Sequence, residues 1–531
     1  MMDRARAPLL ALALLLLPSA APPPPAAPPI EERSLADLGG ALARGETSSV
    51  AITAAYLARI AALDGQGPAL HAIIALNPDA MAEARASDAR RAAHATRGPL
   101  DGLPLLIKDN IETADPVATT AGSLALKDNI SHVDAPVVAR LRAAGAVILA
   151  KANLSEWANI RSTRALSGWS AMGGLVRNPY ALDRTACGSS SGTGAGVAAS
   201  FAAAGIGTET DGSVVCPSSI NGLVGLKPSI GMVSRTRVVP ISHSQDTPGP
   251  MARTVRDAAL LFGAMVGPDP ADPTTTAAAG RAQDFTAGLR ADALRGRRVA
   301  VLTPATMTPA AAALFEAALA TLRRCGAVPV PVARPDLKGL EEAEQIVLQT
   351  ELKADLNAYL AATPAAVRTR SLAALIAFNQ REAAREMPLF GQELFLAAEQ
   401  TKGLDDPAYK AARADTLRRA AGALDGMLHQ AGATILVTPT YEAAWLSDTV
   451  YGDQYDGPSA SGLPAMAGYP HLTVPMGAVR GLPLGLSFIG PRFSEAALLN
   501  AGYAFEQAQH GRTAPRYRPT VESGAALDPA R

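Results

Sequence analysis

The stretch CGSSSGTGAGVAASFAAAGIGTETDGSVVCPSS, from Cys187 to Ser219, constrains this chain more than any other. Two turns rich in glycine and serine flank an alanine-rich run, which predicts a helix with a turn at each end. Both turns are free to face one site. Ser213 follows Asp211-Gly212, so it sits in a tight turn where small residues let a substrate approach and consecutive backbone N–H groups converge on an anion. Such convergence is what an oxyanion hole requires. Taken alone, a Gly-Ser-Val turn is an ordinary structural feature. A phosphate loop is the other reading of Gly192, Gly194 and Gly196, and it fails in detail. Val197 stands where the third glycine of a dinucleotide fingerprint belongs, no Walker lysine follows, and Gly188 to Ser191 does not form a strand.

The surrounding sequence reads as α/β. Ile52, Tyr56, Ile60 and Leu63 recur at helical spacing after Thr47 or Ser48, either of which can cap the helix. Leu103 to Ile107 is a short apolar run consistent with a strand, and it delivers Lys108 at its end. Pro136 to Arg142 reads as a helix closed by Gly145, and Ala146 to Ala150 as a buried strand. The pattern returns with a strand at Arg298 to Thr303, a helix at Pro309 to Cys325 and a strand at Ala327 to Val332. Residues 339–430 are mostly helical in pattern, and Thr434 to Thr438 and His471 to Pro475 return to strand. Strands alternating with helices predict a sheet covered on both faces.

Composition narrows the function classes. Forty-eight lysines and arginines balance forty-eight aspartates and glutamates with no basic stripe, so nucleic acid is not an expected partner. Seven scattered histidines and three cysteines offer no metal-ligand spacing, and no cofactor is expected. Arg4 and Arg6 precede an apolar run from Ala7 to Leu17, then Ser19 and Ala21 supply small residues. The run is about half of what spans a bilayer, so residues 1–21 read as a cleaved signal peptide and 22–30 as a proline-rich linker. The expectation is an exported chain, periplasmic or secreted, with no stable membrane insertion and a folded domain over 31–531. Cys187, Cys216 and Cys325 permit at most one disulfide, and the sequence leaves open whether Cys187 and Cys216 pair.

Taken together, GPLDGLPLLIKDNIETAD, TTAGS at Thr119 to Ser123, the serine-rich block at Cys187 to Ser191 and GTETDGSVVCPSSINGLVGLKPSIGMVSR resemble the amidase signature family. SQDTPGPMARTVRDAA, YPHLTVPMG and GLPLGLSFIGPRFSEAALL extend the resemblance over most of residues 34–515. It implies a single-domain fold with a large central mixed β-sheet covered on both faces by helices. It also implies amide hydrolysis through an acyl-enzyme, with Ser213 as nucleophile, Ser189 as bridging serine and Lys108 as base. Ser189, rather than Ser190 or Ser191, stands at the family's spacing from Ser213, and a cis peptide bond is implied between Gly188 and Ser189. Backbone amides of Thr210, Asp211, Gly212 and Ser213 are implied as the oxyanion hole, and Ser190 as a hydrogen-bond partner that orients the lysine.

Lysine accepts a proton near neutral pH only where burial or a cationic neighbour disfavours its ammonium form. Val214 and Val215 stand where many members carry Ile-Arg, and Cys216-Pro217 follows, a form similar to the peptide amidase branch. Peptide C-terminal amides or small amides are the implied substrates. FNQREAAREMPLFGQELF, Phe378 to Phe395, also resembles that branch, and reads either as a segment lining or covering the substrate channel or as an amphipathic helix pair. The alternatives are a glutamine-hydrolysing component of an amidotransferase, against which the leader argues, and a non-catalytic binding protein on the same fold.

Overall fold

A computed structural model describes residues 29–522, so the expected signal peptide and most of the expected linker lie outside the described residues. Ile30, the last residue of that linker, is already buried in the core. Glu32 beside it accepts hydrogen bonds of 2.7 and 3.0 Å from Arg512, which ties the start of the fold to its end.

Among the described residues, thirteen strands follow in chain order. They are β1 (Ile73–Leu76), β2 (Pro104–Lys108), β3 (Val147–Ala152), β4 (Trp169–Ser170), β5 (Gly174–Leu175), β6 (Ala204–Glu209), β7 (Val224–Lys227), β8 (Thr247–Ala252), β9 (Arg298–Val301), β10 (Val328–Pro331), β11 (Leu436–Pro439), β12 (His471–Val479) and β13 (Leu482–Ile489). Eleven of them form one sheet in the order β1-β3-β2-β6-β8-β7-β12-β13-β11-β9-β10, and β4 pairs only with β5. The sheet is mixed: β2 runs parallel to β3 and β6, β9 runs parallel to β10 and β11, and antiparallel pairs fill the centre.

Burial explains the strand sequences. PLLIK and VILAKA are buried at every position, as strands covered on both faces must be. On β12 successive side chains point to opposite faces. Leu472 and Val474 pack at Gly502 on the helix Glu495–Gln509, whereas Thr473 turns to Thr440, 2.7 Å away, on the face that carries Ser219 and the helix Val215–Ile220. One large sheet with helices on both faces makes a single domain.

The helix expected after residue 48 spans Ser49–Leu63, and the capping hydroxyl is that of Ser48, which accepts the N–H of Ala51 at 3.1 Å. Lys108 is the last residue of its strand rather than the one after it. The alanine-rich run departs more from expectation. Its helix ends at Ala198, Ser200 turns the chain at φ 58°, and Ala204 already belongs to β6. Alanine does not oppose that division, and the small side chains let the helix Ser191–Ala198 lie close on β6. A Cβ on Gly207 would stand 2.7 Å from Ser190 Oγ.

Candidate active site

β2 and β6 are parallel neighbours that end at one rim of the sheet, the place where α/β folds hold their ligands. Lys108 ends β2 and is fully buried. Its Nζ donates to Ser189 Oγ at 2.7 Å, to Thr208 Oγ1 at 2.9 Å and to the Thr208 carbonyl at 3.2 Å. Among the described residues no carboxylate lies within ion-pair distance of it. Burial disfavours the ammonium and brings its pKa from 10.5 to about 7, against an opposing pull from Asp246 and Glu209.

Ser189 is held by its neighbours on both sides. The Gly188–Ser189 peptide bond is cis, as the resemblance implies, and the Ser189 carbonyl accepts the N–H of Ser155 at 3.0 Å. Ser190 meets Thr208 and not the lysine. Its hydroxyl donates to the Thr208 carbonyl and accepts the Thr208 N–H, both at 3.2 Å, so any hold on Lys108 passes through Thr208. The Ser190 N–H donates to the Ser213 carbonyl at 3.2 Å, which joins the two serine turns directly.

Ser213 lies in the turn between β6 and the helix Val215–Ile220. Gly212 adopts φ +83°, and a Cβ there would lie 2.6 Å from Tyr441 Oη, so both its conformation and its surroundings demand glycine. Glu209 accepts the N–H groups of Val214 and Val215 at 2.8 and 2.9 Å and fixes the helix start. Among the described residues no protein acceptor takes the N–H of Thr210, Asp211, Gly212 or Ser213, and no hydrogen bond joins Ser189 Oγ to Ser213 Oγ. Asp246 steadies the turn from below: it accepts Thr210 Oγ1 at 2.6 Å and the N–H groups of Ile241 and Ser242, and burial pushes its pKa up to about 6.

Cys187 and Cys216 are joined in a disulfide, with Cα atoms 6.1 Å apart. Both cysteines line the cleft of about 320 Å³ into which Ser213 opens, within the range of small-ligand sites. Its two walls differ. Tyr441, Trp445 and Tyr455 form an aromatic wall beside the disulfide, while Ile160, Ile241 and Leu348 form an aliphatic wall. Asp211 lines both this cleft and a second cavity of about 630 Å³, which Glu344 also lines; burial pushes both carboxyls up.

Residues 378–395 are not among those that line this cleft. They brace, from behind, the loop that does line it. Glu386 accepts Ser123 Oγ and the Leu124 N–H, and the buried Arg161 bonds both its carbonyl and the Glu156 carboxylate. Glu393 accepts the Ser162 hydroxyl at 2.7 Å, Phe390 meets Trp169 edge-on and Phe395 meets Trp157. The braced loop carries Trp157, Ala158 and Asn159 in succession at φ 50°, 53° and 75°, a conformation that costs energy and persists only where the surroundings impose it. Ala158, Asn159 and Ile160 line the cleft.

Among the described residues, His243, Glu351 and Asp355 bring possible metal ligands together. Both ring nitrogens of His243 already face carboxylates, at 2.9 Å from Asp355 and 3.4 Å from Glu351, and Glu351 also accepts Tyr409 Oη at 2.7 Å. The group braces a loop against the helix Leu340–Ala362. No described helix is long and apolar enough to cross a membrane.

The Amidase family model matches residues 51–499. The "Probable amidase" of Arabidopsis thaliana is 38% identical over 502 residues, covering 92% of each chain. A glutamyl-tRNA(Gln) amidotransferase component of Roseiflexus castenholzii is 34% identical over 524 residues, 94% of this chain and all of that one. Among solved structures, the native peptide amidase from Stenotrophomonas maltophilia superposes with a TM-score of 0.87 at 48% identity, covering 92% of this chain and 99% of that one.

Proposed function

The chain belongs to the amidase signature family and is an amidase, and from that premise we propose that it hydrolyses the C-terminal carboxamide of peptides through an acyl-enzyme on Ser213. The observation that carries the chemistry is Lys108: a fully buried amine, poised near neutrality, 2.7 Å from the Ser189 hydroxyl. In this reading the neutral Lys108 takes the proton of Ser189 while Ser189 takes that of Ser213. Ser213 Oγ then attacks the amide carbon, and the carbonyl oxygen gathers charge beside the unspent N–H groups of residues 210–213. Collapse breaks the C–N bond. The proton returns through Ser189 to the leaving nitrogen, which departs as ammonia. Water then attacks the Ser213 ester by the same relay and frees the peptide acid. The hydroxyls of Ser189 and Ser213 are brought into hydrogen-bond contact as substrate binds, since catalytic contacts of this kind tighten in the complex.

The likeness to a peptide amidase at 48% identity and the cleft's two apolar walls support the peptide-amide substrate over free glutamine. The leader read from the sequence supports export, and so does the Cys187–Cys216 bond, because disulfides persist in oxidising compartments.

Ammonia release from a peptide C-terminal amide, a simple aliphatic amide and glutamine, measured in parallel, tests the substrate. The peptide amide is expected to have the highest kcat/KM; preference for either of the others overturns the choice. Ser213→Ala is expected to lower kcat by on the order of 10⁶ with the fold intact. Near-normal turnover in that variant would sink the mechanism.

A further inference from the structure

The aromatic wall of the cleft carries one acid that the chemistry above leaves unused. Asp453 lines the cleft with Trp445 and Tyr455. Its Oδ1 accepts the Trp445 indole N–H at 3.0 Å, and the Ser167 N–H lies 3.2 Å from both carboxylate oxygens. Burial pushes this carboxyl up, while those three contacts favour its anion and aim it. Oδ2 keeps acceptor capacity after its single contact. Among the described residues no lysine, arginine or histidine lies within ion-pair distance of Asp453 or lines the cleft. Asp211, the other acid there, lies beside a second carboxyl, that of Glu344, and burial pushes both up, so it is the poorer anchor for a cation.

The rings of Trp445 and Tyr455 stand 4.6 Å apart beside this carboxylate. An anion next to aromatic faces is the environment that holds a cation, and a planar guanidinium best of all, because it both stacks and donates in a plane. An acidic substrate side chain would meet the same carboxylate with no cation to offset it.

We propose that Asp453 determines specificity, selecting peptide amides whose acyl part bears a cationic group and rejecting those whose acyl part is acidic. The proposal rests on the peptide-amide reading of the site. N-acetylated dipeptide amides ending in arginine, norleucine or glutamate, hydrolysed in pairwise competition, read the selectivity as kcat/KM ratios that do not depend on the fraction of active enzyme. Arginine over norleucine is expected at roughly ten-fold, with glutamate slowest, and the ratio falls toward one at high salt. Asp453→Asn retains an acceptor for Trp445 and is expected to bring arginine over norleucine to within about two-fold. Repeating the norleucine substrate without its acetyl group tests an α-ammonium as the cation in place of a side chain; a gain lost in Asp453→Asn extends the same site to it. A wild-type ratio near one for both cations, or a ratio unchanged by Asp453→Asn, overturns Asp453 as selector and leaves the peptide-amide reading standing. Hydrolysis of none of the peptide amides overturns that reading and this proposal together.

Discussion

Lys108 and Lys151 sit on adjacent strands, β2 and β3, both sealed from solvent, and their surroundings give them opposite characters. Lys151 Nζ lies 3.2 Å from Asp109 Oδ1 and donates to the Ile111 carbonyl and Thr119 Oγ1. Burial lowers its pKa and Asp109 opposes the fall, so the pair is a buried ion pair with a structural task. Lys108 meets hydroxyls and a carbonyl only, and nothing adjacent compensates its charge. A buried lysine becomes a base when its partners can hydrogen-bond either protonation state and none of them is an anion.

Five outcomes would break or sharpen that contrast. Lys108→Met is expected to lower turnover by about 10²–10⁴, the worth of a general base, while leaving the urea midpoint close to the parent's. Lys108→Arg is expected to be as inactive, because a guanidinium does not give up its proton. Lys151→Met strands Asp109 in the interior and is expected to cost about 3–5 kcal/mol of stability by chemical denaturation, with kcat per folded molecule nearly unchanged. If instead Lys151→Met kills turnover in a stable protein, the two lysines have been assigned the wrong way round.

The fourth outcome concerns pH. In the proposed mechanism Lys108 works as the free amine, so kcat/KM should climb as pH rises through about 7 and level off above it. A profile still climbing at pH 9 would place the lysine near its ordinary value. The smallest effect is expected from Thr208→Val. The Thr208 hydroxyl accepts from Nζ and so favours the ammonium; its loss should move the limb to lower pH and reduce kcat less than about ten-fold.

Much of the site was legible because it is local in sequence. Lys108 follows an unbroken apolar run consistent with a strand, the two serines lie in turns that glycine marks, and the resemblance to a family picked these three out of their neighbours. What escaped comes from distant segments. Thr208 is one threonine among many until β6 pairs with β2 and brings it to Nζ. Trp445, Asp453 and Tyr455 reach the cleft on a long loop with no periodicity to read. The segment Phe378 to Phe395 reads as a lining or covering element only through its resemblance to the peptide amidase branch, and as an amphipathic helix pair otherwise. Those residues in fact satisfy partners away from the cleft: Phe390 packs on Trp169, and Glu386 receives Ser123 and the N–H of Leu124, behind the loop that touches substrate space. The alanine-rich run misleads in its length because alanine suits a helix and tolerates a crowded strand almost equally, and the turn at Ser200 carries no glycine or proline to announce it.

The bond between Cys187 and Cys216 changes how the two serines are tethered. Along the backbone Ser189 and Ser213 are separated by a helix, a turn and a strand; through the sulfurs they are two residues from one half-cystine and three from the other. The short route works as a mechanical strut. With it in place, the spacing of the two serines depends less on strand β6 and the helix before it than the backbone route alone would require.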